Sequence, residues 1–392
     1  MLRYSISIIF IFLSLAGFSQ RLITYQDAVN LSLQNKVNNT PATLGLKQQQ
    51  QLLKATGILN NPEVEIEKSP YEGLLLGIQQ RLSFPSVYAS QRNLQYERIQ
   101  LAQLMLQLNE NEIKRLVLTN YLQVQYFKAL TDFLSYKDSV YQKIKIAAKR
   151  NFDAGQINKL QELFAANEAD KVRNELNRSL IDLQAQKIAF AYFTNLNESF
   201  IVEPLTALPI NSVSFVGDTL NNTIQQQIFQ QQVSIAEQEL KVQRGQLLPE
   251  IIAGPLFPLS KDYKQPVGFR FGISLPIWPS QNQARLNAAK TGIQLAEAQR
   301  QRENRNLTRE YQLAYSNLLK EKTSIDYYKT NALIQSKDII ETALRLFEAG
   351  ESDYIQALRN MITAFETREN YLQTLRNYNQ ALIDLKYLNG TL

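Results

Sequence analysis

The chain contains neither cysteine nor histidine, and only three of its 392 residues are methionine. These absences exclude disulfide bonds, thiol nucleophiles and imidazole bases, and they remove the side chains that most often bind transition metals. No window concentrates Lys and Arg as a nucleic-acid groove would, although the formal net charge is +6. The composition therefore disfavours an enzyme, and we predict no catalytic residues, no cofactor, no metal site and no nucleic-acid partner.

Proline is missing from two long stretches, residues 86–203 and 280–392, although the chain has twelve prolines. Apolar side chains recur in them at steps of three or four residues, as at Ile355, Leu358, Ile362 and Phe365. Long helices are the natural interpretation, and we predict that each stretch folds back as a hairpin at Gly155 or Gly350. A helix of about 65 residues would be roughly 100 Å long, more than a globular domain needs.

The apolar period changes to two before each of these stretches. The alternating residues are Glu63, Val64, Glu65, Ile66 and Glu67 in the first half, and Phe269, Arg270 and Phe271 in the second. Such alternation predicts strands with one apolar and one polar face. Each half is expected to carry two strands directly before its long helix.

The chain is therefore predicted to contain two tandem repeats of one unit, which consists of helix, strand, strand, long helix, glycine turn and helix. The first repeat is placed at residues 20–203, with strands at about 62–84 and a helical hairpin at about 86–197. A linker follows at 204–220. The second repeat is placed at 221–392, with strands at about 249–275 and a hairpin at about 280–389. The opening helices are predicted from Thr24 to about Leu59 and from about Asn221 to Gln246.

Residues 1–19 are predicted to be a signal peptide. Arg3 supplies the positive start, an apolar core runs from about Ile6 to Leu15, and small residues precede Gln20. The alternative is a retained membrane anchor, for which the apolar core is short. The mature chain is expected to act outside the cytoplasm.

Four strands cannot close a membrane barrel alone, because the smallest such barrels use about eight. Copies of the same chain would have to complete it, and a trimer would supply twelve strands. Val64, Ile66, Phe269 and Phe271 would then face lipid, and Glu63, Glu65, Glu67 and Arg270 would face the lumen. The alternative is the edge of a soluble sandwich. Trp278, just after the last strand, is expected at the membrane interface or in packing.

The chain resembles the TolC-like outer membrane factors, also called outer membrane efflux proteins, in three features. These are the two-fold repeat, the strand exits Leu82–Pro85 and Ile273–Pro276, and the pattern Arg-x-Phe-acid-Ala-Gly at both turns. The resemblance implies a mainly α fold with a small transmembrane β-barrel contribution. A homotrimer would place a twelve-stranded barrel in outer-membrane lipid and a coiled-coil tunnel in the periplasm of a Gram-negative bacterium. Its expected function is the passive exit duct of a tripartite efflux pump. A soluble periplasmic scaffold or adaptor and a type I secretion duct are the alternatives.

The resemblance also implies that the hairpin tips meet a periplasmic adaptor, or membrane fusion, protein. That adaptor would link the duct to an inner-membrane transporter, for which the resistance-nodulation-division type is one candidate. The adaptor-binding residues would be Arg150, Asp153, Ala154, Gly155, Arg345, Glu348, Ala349 and Gly350. A local interpretation stays open beside this one, in which the glycines end helices and the arginines favour helix C-termini.

The periplasmic gate is where the chain departs from the family pattern. Some members constrict this mouth with carboxylates six and nine residues beyond the second tip glycine, where this chain has Gln356 and Arg359. An acidic ring is therefore not expected. The predicted gate residues are Asp353, Tyr354, Gln356 and Arg359, with ordinary polar positions on a coiled-coil face as the alternative.

Overall fold

A computed structural model of the chain describes residues 21–70, 73–196, 199–209, 220, 222–259, 266–349 and 354–392. The predicted signal peptide lies outside the described residues, and so does most of the predicted linker. The boundary between the two repeats therefore stays a prediction.

Helices dominate the described chain, and the same order of strand, strand, long helix and returning helix occurs in both halves. The first half contains β1 (Arg21–Ile23), α1 (Tyr25–Gln34), α2 (Lys36–Lys54), β2 (Glu63–Ser69), β3 (Gly73–Leu82), α3 (Pro85–Asp153), α4 (Lys159–Thr194) and β4 (Phe200–Val202). The second half contains α5 (Ile224–Gly245), β5 (Glu250–Pro258), β6 (Gly268–Ser274), α6 (Pro279–Tyr327), a π-helical turn (Tyr328–Ala332), α7 (Leu333–Ala349) and α8 (Tyr354–Asn389). The predicted mainly α fold class is confirmed for the single chain.

The N-terminal helix begins as predicted but does not run to Leu59. The Thr24 hydroxyl and amide donate hydrogen bonds to the Asp27 carboxylate, and these bonds hold the pKa of that carboxyl below its usual value. At Asn35 the backbone becomes extended, and its side chain accepts from the Val37 amide at 3.3 Å and donates to the Phe193 carbonyl at 3.2 Å. The prediction of one helix is wrong because this asparagine caps a second helix and binds the end of α4.

A two-stranded parallel sheet at the start of the chain was not predicted. β1 pairs with β4 in the register Ile23 to Val202. Ile23 is fully buried, and its carbonyl accepts a 2.8 Å hydrogen bond from the Tyr121 hydroxyl of α3. Three-residue strands are too short to show a period in the sequence, so only the fold reveals that both chain segments are held against α3.

The first hairpin turns at Gly155, as predicted. α3 has 69 residues and is therefore about 100 Å long. It ends in a Schellman motif, in which Gly155 N–H donates to Phe152 and Gln156 N–H donates to Asn151, both at 2.9 Å. Gly155 has φ of +73°, and Asn158 then caps the start of α4. Gly155 therefore ends α3 by adopting the left-handed backbone conformation, as the local interpretation of this glycine requires.

The second hairpin contains a π-helical turn that the sequence did not reveal. The Leu333 amide donates to the Tyr328 carbonyl, five residues back, and the Thr330 hydroxyl donates to the Asp326 carbonyl at 2.8 Å. The Tyr328 ring lies 5.8 Å from that of Tyr371 on α8. No proline or glycine marks the site, so the extra residue is accommodated by packing and by this hydroxyl.

The two hairpins share one core where α3 packs against both α4 and α8. The fully buried residues of this core include Tyr141, Ile144, Ala148, Ala165, Ala169, Leu358, Met361 and Phe365. The ring of Phe365 lies 5.7 to 6.1 Å from those of Phe133, Tyr136 and Tyr141. Because alanines lie in the same core as these aromatic rings, the helices can approach closely, and the two repeats pack as one body.

A buried charge also joins three helices at this level. The Lys137 side chain on α3 is only 9% exposed, and its Nζ donates to Glu175 of α4 at 3.0 Å and to Glu369 of α8 at 3.2 Å. The two carboxylates retain about a third of their exposure, at 33% and 30%. The ammonium group therefore depends on both hairpins, whereas each carboxylate still reaches water.

Removing both carboxylates is expected to lower the free energy of unfolding more than removing the lysine does. The double substitution Glu175→Gln with Glu369→Gln leaves a buried ammonium group without a counter-charge and should cost about 3 kcal/mol. Lys137→Met should cost less than half as much, because the remaining carboxylates are hydrated. Thermal unfolding of the detergent-purified protein measures both. Asp132→Asn, which breaks the exposed pair with Lys128, is the control and should cost below about 0.5 kcal/mol. The opposite ranking would contradict this account.

Two glycine substitutions should shift stability in opposite directions. Gly155→Ala is expected to destabilise the protein by about 1 kcal/mol, because an L-residue is strained at positive φ although a Cβ there would meet no atom within 4 Å. Gly292→Ala is the matched control, since it lies inside α6 with equally open space around a Cβ. It should stabilise the helix by about 0.5 to 1 kcal/mol. Equal shifts of the unfolding temperature would refute the assigned role of Gly155.

Candidate functional site

The four longer strands form one antiparallel sheet in the order β2-β3-β5-β6. The register pairs Glu65 with Gly77 and Ala253 with Phe271, which fixes the residues that share a face. β2 and β6 are the two edges, and within the described residues each pairs on one side only. The sheet thus has two defined faces and two open edges.

One face of the sheet is mainly apolar and exposed, with Lys68 and Gln80 as polar positions on it. Its residues include Val64, Ile66, Leu74, Ile78, Ile251, Phe269, Phe271 and Ile273. Phe269 and Phe271 are 70% and 77% exposed, and Trp278 beyond the end of β6 is also exposed. A contiguous apolar surface of this kind marks contact with lipid or with another protein. None of the helices in the described ranges is both long and apolar enough to cross a membrane.

The opposite face carries the predicted charged residues. Glu63, Glu65, Glu67 and Arg270 all lie on it, together with Arg81 and Glu250. Arg81 contacts Glu63 at 3.2 Å and Glu250 at 3.8 Å. Arg270 contacts Glu65 at 2.9 Å and also Glu67. These side chains are exposed or half-buried, so each pair contributes little to stability. Their effect is to make this face polar.

The ion pairs of Arg270 join opposite edges of the sheet. Arg270 belongs to β6, whereas its two partners belong to β2, three strands away. The sheet must therefore curl toward its charged face. Gly254 lies where β3 and β5 approach closely, because a Cβ there would fall 1.8 Å from the Ile78 carbonyl oxygen. A side chain at this position would collide with the β3 backbone, so the close approach of the two strands requires glycine.

The predicted tip residues lie at the far end of the hairpins, about one length of α3 from the sheet. Arg150, Asp153, Ala154 and Gly155 are all exposed there. Asp153 contacts Lys149 at 3.6 Å. On the second hairpin, Arg345 is exposed and its guanidinium donates to the Thr342 hydroxyl at 3.5 Å. Glu348 and Ala349 belong to α7 but their side chains are not described, and Gly350 lies outside the described residues.

The structure also exposes apolar side chains at the first tip that sequence reasoning missed. Ile146 and Leu160 are each 70% exposed, and Leu163 is exposed beside them. In the sequence they resemble any apolar position of a helix, because periodicity alone does not show which stripe faces the core. Only the packing of α3 on α4 and α8 identifies them as surface residues.

The predicted gate residues are only partly described. Asp353 lies outside the described residues, and the Tyr354 side chain is not described. Gln356 and Arg359 are exposed on the first turns of α8, and the Gln356 amide donates to Asn360 at 3.1 Å. Gln356 and Asn360 line a groove of about 440 Å³ between α7 and α8, whose other wall includes Leu346.

The sequence matches a known family over its C-terminal third. Residues 258–391, which contain β6 and the second hairpin, match the outer membrane efflux protein family. No curated protein sequence matches the chain significantly.

Solved structures resemble nearly the whole chain. The outer-membrane channel OprN has a TM-score of 0.81 at 14% identity, covering 94% of this chain and 90% of its own. The Campylobacter jejuni CmeC outer membrane channel has a TM-score of 0.77 at 14% identity, covering 94% and 85%. The outer membrane protein VceC from Vibrio cholerae has a TM-score of 0.78 at 15% identity, covering 93% and 96%. The chain thus has the fold of these outer-membrane proteins, which, with the family match, confirms the resemblance to TolC-like outer membrane factors.

Proposed function

We propose that this protein is the outer-membrane exit duct of a tripartite efflux pump. The observation that carries the proposal is an exposed, mainly apolar sheet face attached to helical hairpins, of which the longest helix, α3, is about 100 Å long. The sheet offers a lipid-facing surface, and the hairpins are long enough to reach far into the periplasm. The family match and the shared fold with outer-membrane channels support the same function.

The open sheet edges support assembly from several copies. In hydrocarbon every backbone N–H and C=O must find a partner, because an unsatisfied group costs several kcal/mol. Four strands are too few to close on themselves. A homotrimer would supply twelve strands, with Val64, Ile66, Phe269 and Phe271 toward lipid. Glu63, Glu65, Glu67 and Arg270 would then line the aqueous lumen.

The hairpin tips would bind a periplasmic adaptor protein. In this proposal, Ile146 and Leu160 beside Gly155 give the adaptor an apolar contact, and Arg150 and Asp153 give it charged ones. The second tip would contribute Arg345, with the groove beside Gln356. Opening of the mouth would then follow from rearrangement of the hairpins on adaptor binding.

The duct would perform no chemistry of its own. An inner-membrane transporter reached through the adaptor would supply the energy, and this chain would conduct substrates passively across the outer membrane. Gln356 and Arg359 are the proposed lining of the closed mouth, together with Asp353 and Tyr354.

Membrane partition and oligomeric state test this proposal directly. The full chain should fractionate with the outer membrane, require detergent for extraction and have the mass of a trimer by light scattering. Recovery of a monomer from the soluble periplasm would overturn the duct and favour a scaffold or adaptor. If the protein is a trimer, but deletion of its gene abolishes protein secretion and leaves small-molecule efflux intact, a type I secretion duct would be favoured.

A lysine on the apolar face should prevent membrane insertion, whereas a lysine on the polar face should not. Phe271→Lys is expected to cost about 2 to 4 kcal/mol if the residue lies near the bilayer midplane. The matched control is Gln79→Lys, because Gln79 is paired with Glu63 on the charged face. The measurement is the fraction of each variant that resists extraction of the outer membrane with urea. Equal fractions for both variants would mean that this face does not contact lipid.

A further inference from the structure

The two open edges of the sheet carry complementary charge. The described part of β2 presents Glu63, Glu65 and Glu67 on one face, and β6 presents Arg270 on the same face. Glu63 already contacts Arg81 of the adjacent strand at 3.2 Å. Glu65 and Glu67 instead form their ion pairs with Arg270, on the opposite edge.

The contact between Arg270 and its own β2 requires a tightly curled sheet. Neighbouring strands lie about 4.8 Å apart, so β2 and β6 of one chain are separated by roughly 14 Å along the sheet. The side chains cover this distance only because the sheet bends toward them. A barrel built from several copies is wider, and opening the sheet to that curvature moves the two edges of one chain apart.

We propose that in the assembled protein Arg270 pairs with Glu65 or Glu67 of the neighbouring copy, so that these residues form a charged seam between subunits. The proposal rests on the proposed function, because it requires the sheet to close with copies of itself. β2, β3, β5 and β6 alternate in direction, so β6 of one copy meets β2 of the next as an antiparallel neighbour. Its carboxylates are then one strand spacing from Arg270 instead of three.

The spacing of the acidic residues gives the seam a register. Glu63, Glu65 and Glu67 occupy successive positions of the same face, so three of the registers that keep the charged faces together place a carboxylate opposite Arg270. A slip by one residue would turn Arg270 onto the apolar side, against Val64 or Ile66. A charged guanidinium facing lipid is costly, so the pair selects among registers although its exposed contacts add little stability.

Cysteine cross-linking tests the seam without background, because the natural chain contains no cysteine. Three double variants combine Arg270→Cys with Glu63→Cys, Glu65→Cys or Glu67→Cys. They cover the three registers that place a β2 carboxylate opposite Arg270. After oxidation, or treatment with a short thiol-reactive cross-linker, at least one of the Glu65→Cys and Glu67→Cys combinations should run as a covalent dimer and trimer on a denaturing gel without reductant. Cross-linking of the Glu63→Cys combination alone would contradict the proposed pairs. Each single variant should stay monomeric on that gel, since one cysteine lies on one edge only.

The control for linkage within one chain is Glu63→Cys with Gln79→Cys, whose register pairs the two residues on adjacent strands. It should consume its thiols without forming oligomers. If all three seam variants behave like this control while light scattering shows a trimer, the charged seam is overturned and the duct stands. A monomer by light scattering would overturn the duct, and the seam with it.

Discussion

The open edges of the four-stranded sheet are the constraint on which the proposed assembly depends. Hydrocarbon offers no hydrogen-bond partner, so a sheet in a membrane has to close, and four strands do not suffice for that. Within the described residues, β2 and β6 each pair on one side only, and together they expose two seven-residue edges. Membrane insertion and assembly would therefore be one event, because a single inserted chain would leave both edges unsatisfied.

The helical half of the molecule has a different requirement, which is to hold very long antiparallel helices side by side without a globular core. Small residues such as Ala148 and Ala169 let the helices approach, and Phe365 fills the space between α3 and α8. Lys137 adds a polar bond to both neighbouring helices. A desolvated charge tolerates few alternative arrangements, so the ion pairs favour one register of the coiled coil. The same device, charge used for register, recurs at the sheet edge.

Much of this architecture could be predicted because its signals are long. Proline-free stretches with helical period predicted the hairpins, and Gly155 predicted the position of the first turn. Period-two alternation assigned Glu65 and Phe271 to opposite faces of the sheet. The features that escaped depend on contacts distant in sequence. Asn35 breaks the first helix because it reaches the end of α4, β1 exists because β4 pairs with it, and the π-helical turn at Tyr328 packs on Tyr371. The exposure of Ile146 and Leu160 likewise depends on which helical stripe faces the partner helices.

The polar sheet face shows why register would be set by charge instead of by apolar contacts. Among registers that keep the same face toward lipid, the apolar side chains gain nothing from one register over another, because lipid surrounds them in each. The lumen side is hydrated, so Arg270 and the β2 carboxylates can exchange partners there at little cost in free energy. In the free chain they bridge its own edges, and in a closed barrel the nearest carboxylates belong to the next copy. One set of ion pairs can thus mask charge before assembly and discriminate between registers during it.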